Sequence, residues 1–193
     1  MLMLVCGLLL FFATHALRIF ADGWRSQMIG RVGANAWKGM VSVLALVGLV
    51  LIVEGFGQTR ADPVVLWLPP LWTRHLAALL VLIAFILVTA AYLPGTRIKA
   101  WVGHPMVAGV KAWALGHLLA NGQLAHLVLF GSFLIWAILD FVVSRRRDRL
   151  LGVRPPPGSA GRDVAAVLVG AIAWWLFARY GHVWLIGVSP LGG

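Results

Sequence analysis

The chain has 193 residues, of which 61% are hydrophobic and 11% are charged, and its mean hydropathy is +0.92. Soluble domains carry about 25% charged residues, so this composition excludes a soluble enzyme. The net charge of +10 is typical of a membrane protein that orients its helices against anionic lipid, and we expect the lipid bilayer and no nucleic acid as a partner.

Six apolar segments, rich in Leu, Val, Ala, Ile, Phe and Gly, follow one another along the chain. About 20 apolar residues span the hydrocarbon core as a helix, and the alternating pattern of a transmembrane barrel is absent. The sequence therefore predicts an all-α, polytopic membrane helix bundle with about six transmembrane helices, in a single domain over residues 1–193. The segments are Leu2–Phe20, Trp37–Phe56, His75–Leu93, Met106–Leu119, Leu124–Val143 and Val164–Tyr180.

Basic residues are distributed unevenly over the connections between these segments. Twelve of the 16 lie in or beside the first, third and fifth connections, whereas the second holds Arg60 and Arg74 and the fourth holds none. Because cytoplasmic loops are enriched in Lys and Arg, this alternation predicts that the N- and C-termini both lie outside. Residues 150–163 are predicted to be a cytoplasmic linker, and residues 164–180 the last helix.

Ionisable side chains inside apolar segments are costly, at about 2.5–3.5 kcal/mol for Arg, Lys or Asp near the centre of a membrane helix, and they suggest function. Lys111 lies within the fourth segment. It either extends towards the membrane surface or pairs with a carboxylate in the bundle. Glu54 and Asp140 lie near helix ends, where they reach water, and we expect Asp140 to form an ion pair with the arginines that follow it.

Histidines occur in or beside the first, third, fourth and fifth segments, at His15, His75, His104, His117 and His126. Helix bundles hold haem through axial ligands from facing helices, and imidazole is a common metal ligand. Hydrogen bonds between helices explain the same distribution, so both interpretations stay open. His104 and His117 are about 20 Å apart along a continuous helix. Depth in the membrane therefore pairs His117 with His75, or His15 with His104.

Four blocks of sequence carry a resemblance to a known family, and they are Thr14–Arg18, Trp72–Leu76, Gly103–Val107 and Lys111–Gly122. They resemble the NnrU family and occur in the family's order. NnrU-like proteins are bacterial integral membrane proteins associated with denitrification, specifically with the reduction of nitrite and nitric oxide. The resemblance implies a multi-pass protein of the bacterial inner (plasma) membrane, with a membrane reductase or other denitrification component as a partner. The resemblance is strongest over residues 1–149.

The wider family includes the 15-cis-zeta-carotene isomerases, which bind haem b and isomerise a polyene double bond when the iron is reduced. The chain is similar to them at His15, His75, His104-Pro105 and His117. The resemblance implies haem b as a cofactor, with His117 and His15 as axial iron ligands. The predicted depths in the membrane favour His75 instead as the partner of His117. If the protein is an enzyme, the resemblance implies a haem-dependent redox or cis-trans isomerisation reaction. It nominates no catalytic residue.

Three other functions compete with haem chemistry. The protein is a non-enzymatic accessory or assembly factor for a membrane reductase if its histidines serve only in packing. Gly103-His104-Pro105 also resembles the Arg-His-Pro motif of membrane methyltransferases that use S-adenosylmethionine, although glycine replaces the arginine. A small-molecule transporter would use Lys111, His117 and Glu54 as a polar path. His104-Pro105 also has a purely structural interpretation, in which a helix starts at the proline and the His104 side chain caps it.

Overall fold

The computed structural model describes residues 1–153 and 156–190, and within them the chain is all-α, as predicted. Two isolated bridges are the only strand-like pairings there. A π-helical turn at Phe177–Gly181 joins the last two helices. The helices are α1 (Leu2–His15), α2 (Leu17–Phe20), α3 (Asp22–Val32), α4 (Ala34–Gln58), α5 (Trp72–Tyr92), α6 (Arg97–Val102), α7 (Pro105–Ala120), α8 (Leu124–Leu150), α9 (Ala160–Leu176) and α10 (His182–Ile186).

Four helical stretches in this part of the chain are long and apolar enough to cross a membrane, namely α4, α5, α8 and the stretch Ala160–Ile186. Most of their side chains face outward, as expected for surfaces that lipid covers. The first and fourth predicted segments are also helical, but α1 has 14 residues and α7 has 16. Their rise of about 21 Å and 24 Å is less than the hydrocarbon thickness of about 30 Å. The number of six spans and the placement of the termini therefore stay predictions.

The first apolar segment is interrupted near its end, although the sequence suggested one helix over Leu2–Phe20. α1 ends at His15, and α2 begins at Leu17. The side chains of Thr14 and His15 both donate to the carbonyl oxygen of Phe11, at 2.7 and 2.8 Å. Side-chain donors of this kind compete with backbone N–H groups for the carbonyl and disturb the last helical turn.

The chain forms two compact units, and the first comprises Met1–Leu66 and Gln123–Ser132. Its helices α1 and α4 run antiparallel in very close contact, with Gly48 against Phe11 and Gly55 against Leu4. A Cβ atom on Gly48 would lie 2.8 Å from the backbone nitrogen of Phe11. Small residues let two helix backbones approach each other in a membrane, so these glycines set the spacing of the pair.

The second unit comprises the described residues of Trp67–Gly122 and Phe133–Gly193. Its helices α5 and α7 run antiparallel, with Gly109 against Ala84 and Gly116 against Ala77. A Cβ atom on these glycines would lie 3.0 and 3.2 Å from the two alanine carbonyl oxygens. α9 packs on the same helix through the close approach of Gly170 to Ile86. The contacts of Gly109 and Gly116 place the start of α5 at the same level as the end of α7.

Alternate connections meet within each unit. Val65 forms an antiparallel bridge with Gln123 in the first unit, which joins the second and fourth connections. Thr96 forms a parallel bridge with Ser159 in the second unit, which joins the third and fifth connections. A chain that crosses a membrane with each successive segment brings alternate connections to the same side, so both bridges agree with that topology.

The predicted linker at residues 150–163 is shorter than expected, because α8 ends at Leu150 and α9 begins at Ala160. Its last residue, Ser159, donates its backbone N–H to the carbonyl oxygen of Gly95 at 2.9 Å. This end of the linker is therefore fixed to the loop that follows α5. Arg154 and Pro155, which belong to the linker, lie outside the described residues.

Candidate functional site

His15 is the last residue of α1, and its side chain is half-buried. Its Nδ1 atom lies 2.8 Å from the carbonyl oxygen of Phe11 and 3.0 Å from Oγ1 of Thr14. The imidazole also stacks on the Phe11 ring, with 4.0 Å between the ring centroids. These contacts fix the orientation of the ring in the first unit.

His117 lies in the last turn of α7 and is also half-buried. Its Nδ1 atom lies 2.8 Å from the carbonyl oxygen of Trp113, one turn earlier, and the Trp113 ring packs on the imidazole at 5.1 Å. The side-chain amide of Asn121 donates to the carbonyl oxygen of His117 at 2.8 Å. The ring is thus held on one side by its own helix, as in His15.

The hydrogen bonds of His15 and His117 determine which ring nitrogen carries the proton. A carbonyl oxygen only accepts, so Nδ1 is the donor in both residues, and the lone pair of the neutral ring is on Nε2. Histidines that bind metals commonly donate in this way, because the bond orients the ring and increases the basicity of the other nitrogen. His182 makes the same kind of bond to Val188, at 2.6 Å. A proton on Nδ1 therefore suits a histidine that binds a metal, but it does not distinguish His15 and His117 from His182.

His75 and His117 lie at the same end of the α5–α7 pair. His75 is in the first turn of α5 and is exposed. Gly116, beside His117, packs against Ala77, two residues after His75. The two histidines are therefore at a similar level, whereas His104 is at the opposite end of α7. Their use as ligands of one iron stays a prediction.

His104 interacts with the far end of α8 instead of serving as a cap. Pro105 is the first residue of α7, as the sequence predicted, but the His104 side chain makes no capping hydrogen bond. Its Nε2 atom lies 2.8 Å from Oδ2 of Asp148, and each side chain is 26% exposed. The expectation that the His104 side chain caps the helix was wrong, because the imidazole bonds to the carboxylate of Asp148 instead.

Within the part of the chain that the structure describes, Lys111 contacts an aromatic ring and not a carboxylate. Its Nζ atom lies over the ring of Phe141, 3.5 Å from the centroid. The electron-rich face of an aromatic ring attracts a cation, and this attraction is stronger where water is excluded. The edge of the same ring faces His104, with 6.3 Å between centroids. Phe141 therefore lies beside both Lys111 of α7 and His104, the residue before that helix.

Sequence reasoning missed both Phe141 and Asp148. Asp148 is the only acidic residue in the basic run Arg145–Arg149, and that isolation is a signal that could have marked it. Asp140 accepts from Ser144 at 3.4 Å, and Ser144 accepts from Arg147 at 3.2 Å. The expected link between Asp140 and the arginines is therefore indirect and passes through a hydroxyl.

His126 is the histidine of α8, and it packs in the first unit between two aromatic rings. Its ring meets Phe56 edge-on at 5.1 Å and lies over Phe130 at 6.0 Å. Its Nδ1 atom is buried and has no hydrogen-bond partner among the residues that the structure describes. These contacts with two aromatic rings indicate that the His126 imidazole contributes to packing.

Within residues 1–153 and 156–190, no group of three or more His, Cys, Asp or Glu side chains is arranged to hold a metal ion. Haem differs from such a centre, because the porphyrin occupies most of the iron's coordination positions and the protein supplies axial ligands. Single histidines with the lone pair on Nε2 meet that requirement. The donor chemistry of His15 and His117 thus fits the group that the resemblance implies.

A family model described as NnrU protein matches residues 3–190 of the chain. No curated protein and no solved structure matches it. The matched range covers nearly all of both compact units and all the histidines described above.

Proposed function

The chain belongs to the NnrU family, and on that premise we propose that it is a haem b protein of the bacterial inner membrane. In this proposal the haem supports the reduction of nitrite or nitric oxide, or a related redox or isomerase reaction. His117 would hold the haem, and the resemblance nominates His15 as the second residue that would do so. His75 is the alternative partner, because it shares the level of His117 in the second unit.

The observation that carries this proposal is the Nδ1 hydrogen bond of each nominated ligand to a backbone carbonyl, at 2.8 Å in His15 and His117. That bond keeps the proton on Nδ1, orients the ring and leaves the basic lone pair on Nε2. When bound, haem supplies one-electron chemistry at its iron. The task of the chain is to bind and orient that group and to set the polarity around it.

Optical spectra of the purified protein, oxidised and then reduced with dithionite, test the proposal directly. After expression with ample haem, we expect a Soret band that His117→Ala abolishes or shifts. His182→Ala is the matched control, because His182 makes the same type of Nδ1 bond and is also half-buried, but the resemblance does not nominate it as a ligand. His15→Ala and His75→Ala, compared in the same preparation, identify the second ligand. A folded, colourless wild-type protein would rule the proposal out.

A second candidate function is an accessory or assembly factor for a membrane reductase. It is favoured by His104 and His126, because one is engaged by Asp148 and the other packs among aromatic rings. This function predicts co-purification with a reductase subunit and tolerance of single His→Ala changes at His15, His75 and His117. Loss of the Soret band in His117→Ala together with loss of reductase activity would favour haem chemistry over it.

A further inference from the structure

A cavity of about 240 Å³ opens at one end of the α1–α4 pair in the first unit. At about 30 Å³ for each water molecule in the liquid, it has room for about eight. The residues that line it come from the end of α1, from α2, from α3 and from the start of α4. Its polar and aromatic lining comprises Thr14, Arg18, Arg25, Trp37, Lys38 and Ser42.

Three of these side chains are positively charged, and within residues 1–153 and 156–190 one of them has an acidic partner. Arg25 lies 3.4 Å from Asp22, in a pair whose side chains are 33% and 48% exposed. Arg18 and Lys38 have no hydrogen-bond or ion-pair partner among the residues that the structure describes. Two cations on different helices therefore border the same cavity with their charge uncompensated, and an anion there would be attracted by both.

The cavity lies where lipid headgroups are expected. α4 has 25 residues, about 37 Å of axial rise, against a hydrocarbon core of about 30 Å. Trp37 and Lys38 are in its first turns, at the end that joins the basic first connection, which we expect to face the cytoplasm. The rings of Trp24 and Trp37 meet edge-on with 5.8 Å between centroids, and tryptophan is enriched at this depth of a membrane.

We propose that this cavity is a binding site for a phosphate-bearing anion, held by Arg18 and Lys38 with Arg25 at its edge. The hydroxyl groups of Thr14 and Ser42 border the same space and can donate to phosphate oxygens. A phosphate group attached to a lipid and a free phosphate ion share this chemistry. The headgroup of an anionic phospholipid is the favoured source, because basic pockets between membrane helices bind such groups.

Native mass spectrometry of the purified full-length protein tests the site. The probes are phosphatidylglycerol, phosphatidylcholine with the same acyl chains, and inorganic phosphate as a competitor. We expect the wild-type protein to bind phosphatidylglycerol in preference to phosphatidylcholine. Arg18→Gln/Lys38→Gln should bind it about thirtyfold more weakly, since each basic side chain contributes about fivefold near an anionic lipid.

The matched control is Arg31→Gln/Arg146→Gln, which removes the same charge at two exposed positions that do not line the cavity. It should bind phosphatidylglycerol as the wild type does. Arg18→Lys/Lys38→Arg keeps the charge and should also bind, which guards against a folding defect in the glutamine variant. Two results would overturn the proposal. One is an equal loss of phosphatidylglycerol binding in both glutamine variants. The other is a wild-type protein that neither prefers phosphatidylglycerol to phosphatidylcholine nor binds phosphate. Phosphate binding without a lipid preference would support the site and assign it to the free ion.

Discussion

The Nε2 atom of His104 lies 2.8 Å from Oδ2 of Asp148, a residue 44 positions further along the chain. The bond joins the residue before α7 to the last turns of α8. Asp148 is surrounded in sequence by arginines, yet the carboxylate contacts an imidazole from another helix. Both side chains are only partly exposed, so the bond is shielded from solvent more than a surface ion pair is.

Replacing Asp148 should therefore destabilise the second unit. We expect Asp148→Ala to lower the free energy of unfolding by about 1.5–3 kcal/mol, the range for hydrogen bonds to charged groups. Asp22→Ala is the control, because its pair with Arg25 is longer and more exposed, and it should cost about 0–1 kcal/mol. Unfolding in mixed micelles, followed by circular dichroism, measures both. A double-mutant cycle with His104→Ala should show coupling, and additive losses would contradict the pair.

The contact of Lys111 with Phe141 predicts a loss of stability when the aromatic face is removed. Phe141→Leu keeps an apolar side chain there but loses the attraction for the ammonium group, so we expect a loss of about 0.5–2 kcal/mol. In a Lys111→Met background the same change should cost less, because no cation remains over the ring. The comparison of the two backgrounds in one unfolding assay isolates the interaction. Identical losses would mean that Phe141 acts only by packing.

Two glycines of α4 should respond in opposite ways to alanine. A Cβ atom at Gly48 meets the backbone of Phe11, whereas one at Gly57 meets nothing within 4 Å. Gly48→Ala should therefore destabilise the first unit by about 1–3 kcal/mol through overpacking. Gly57→Ala should leave stability unchanged or increase it by up to about 1 kcal/mol, because alanine favours the helix. Thermal unfolding midpoints of both variants check the contrast, and a stable Gly48→Ala would show that α1 and α4 can separate.

Labelling of introduced cysteines tests the six-span topology. In a Cys6→Ser background, Asp62→Cys and Gln123→Cys should react with a membrane-impermeant reagent in intact cells. Arg31→Cys and Lys99→Cys should react only after permeabilisation, because basic loops face the cytoplasm. The bridge between Val65 and Gln123 gives the second and fourth connections a common side. Opposite labelling of Asp62→Cys and Gln123→Cys would show that α7 does not cross.

Much of the helical fold was predictable, because long apolar runs satisfy their backbone hydrogen bonds within one segment. The six predicted segments are all largely helical. The end of α1 at His15 was not predicted, since it depends on side chains that compete for the carbonyl of Phe11. α3 and α6 were also missed, because α3 is polar and α6 has six residues. α6 is capped by Thr96, whose hydroxyl accepts from the backbone of Lys99 at 3.1 Å.

The candidate site was predictable as a set of residues and not as a set of contacts. Sequence reasoning selected His117 and His15, but it could not assign their tautomers, which depend on bonds to Trp113 and Phe11. It also could not identify Phe141, because nothing in an apolar helix sequence indicates that one of its aromatic rings contacts Lys111.

The sequence by itself determined the membrane class, the positions of the long helices and the family. Composition and hydropathy are local properties, and each apolar run carries its own information. Only the tertiary structure decided that His104 meets Asp148, that Lys111 lies on Phe141, and that Arg18 and Lys38 share a cavity. Those relations depend on which faces of two distant helices pack together, and close glycine contacts such as Gly116 against Ala77 set that register.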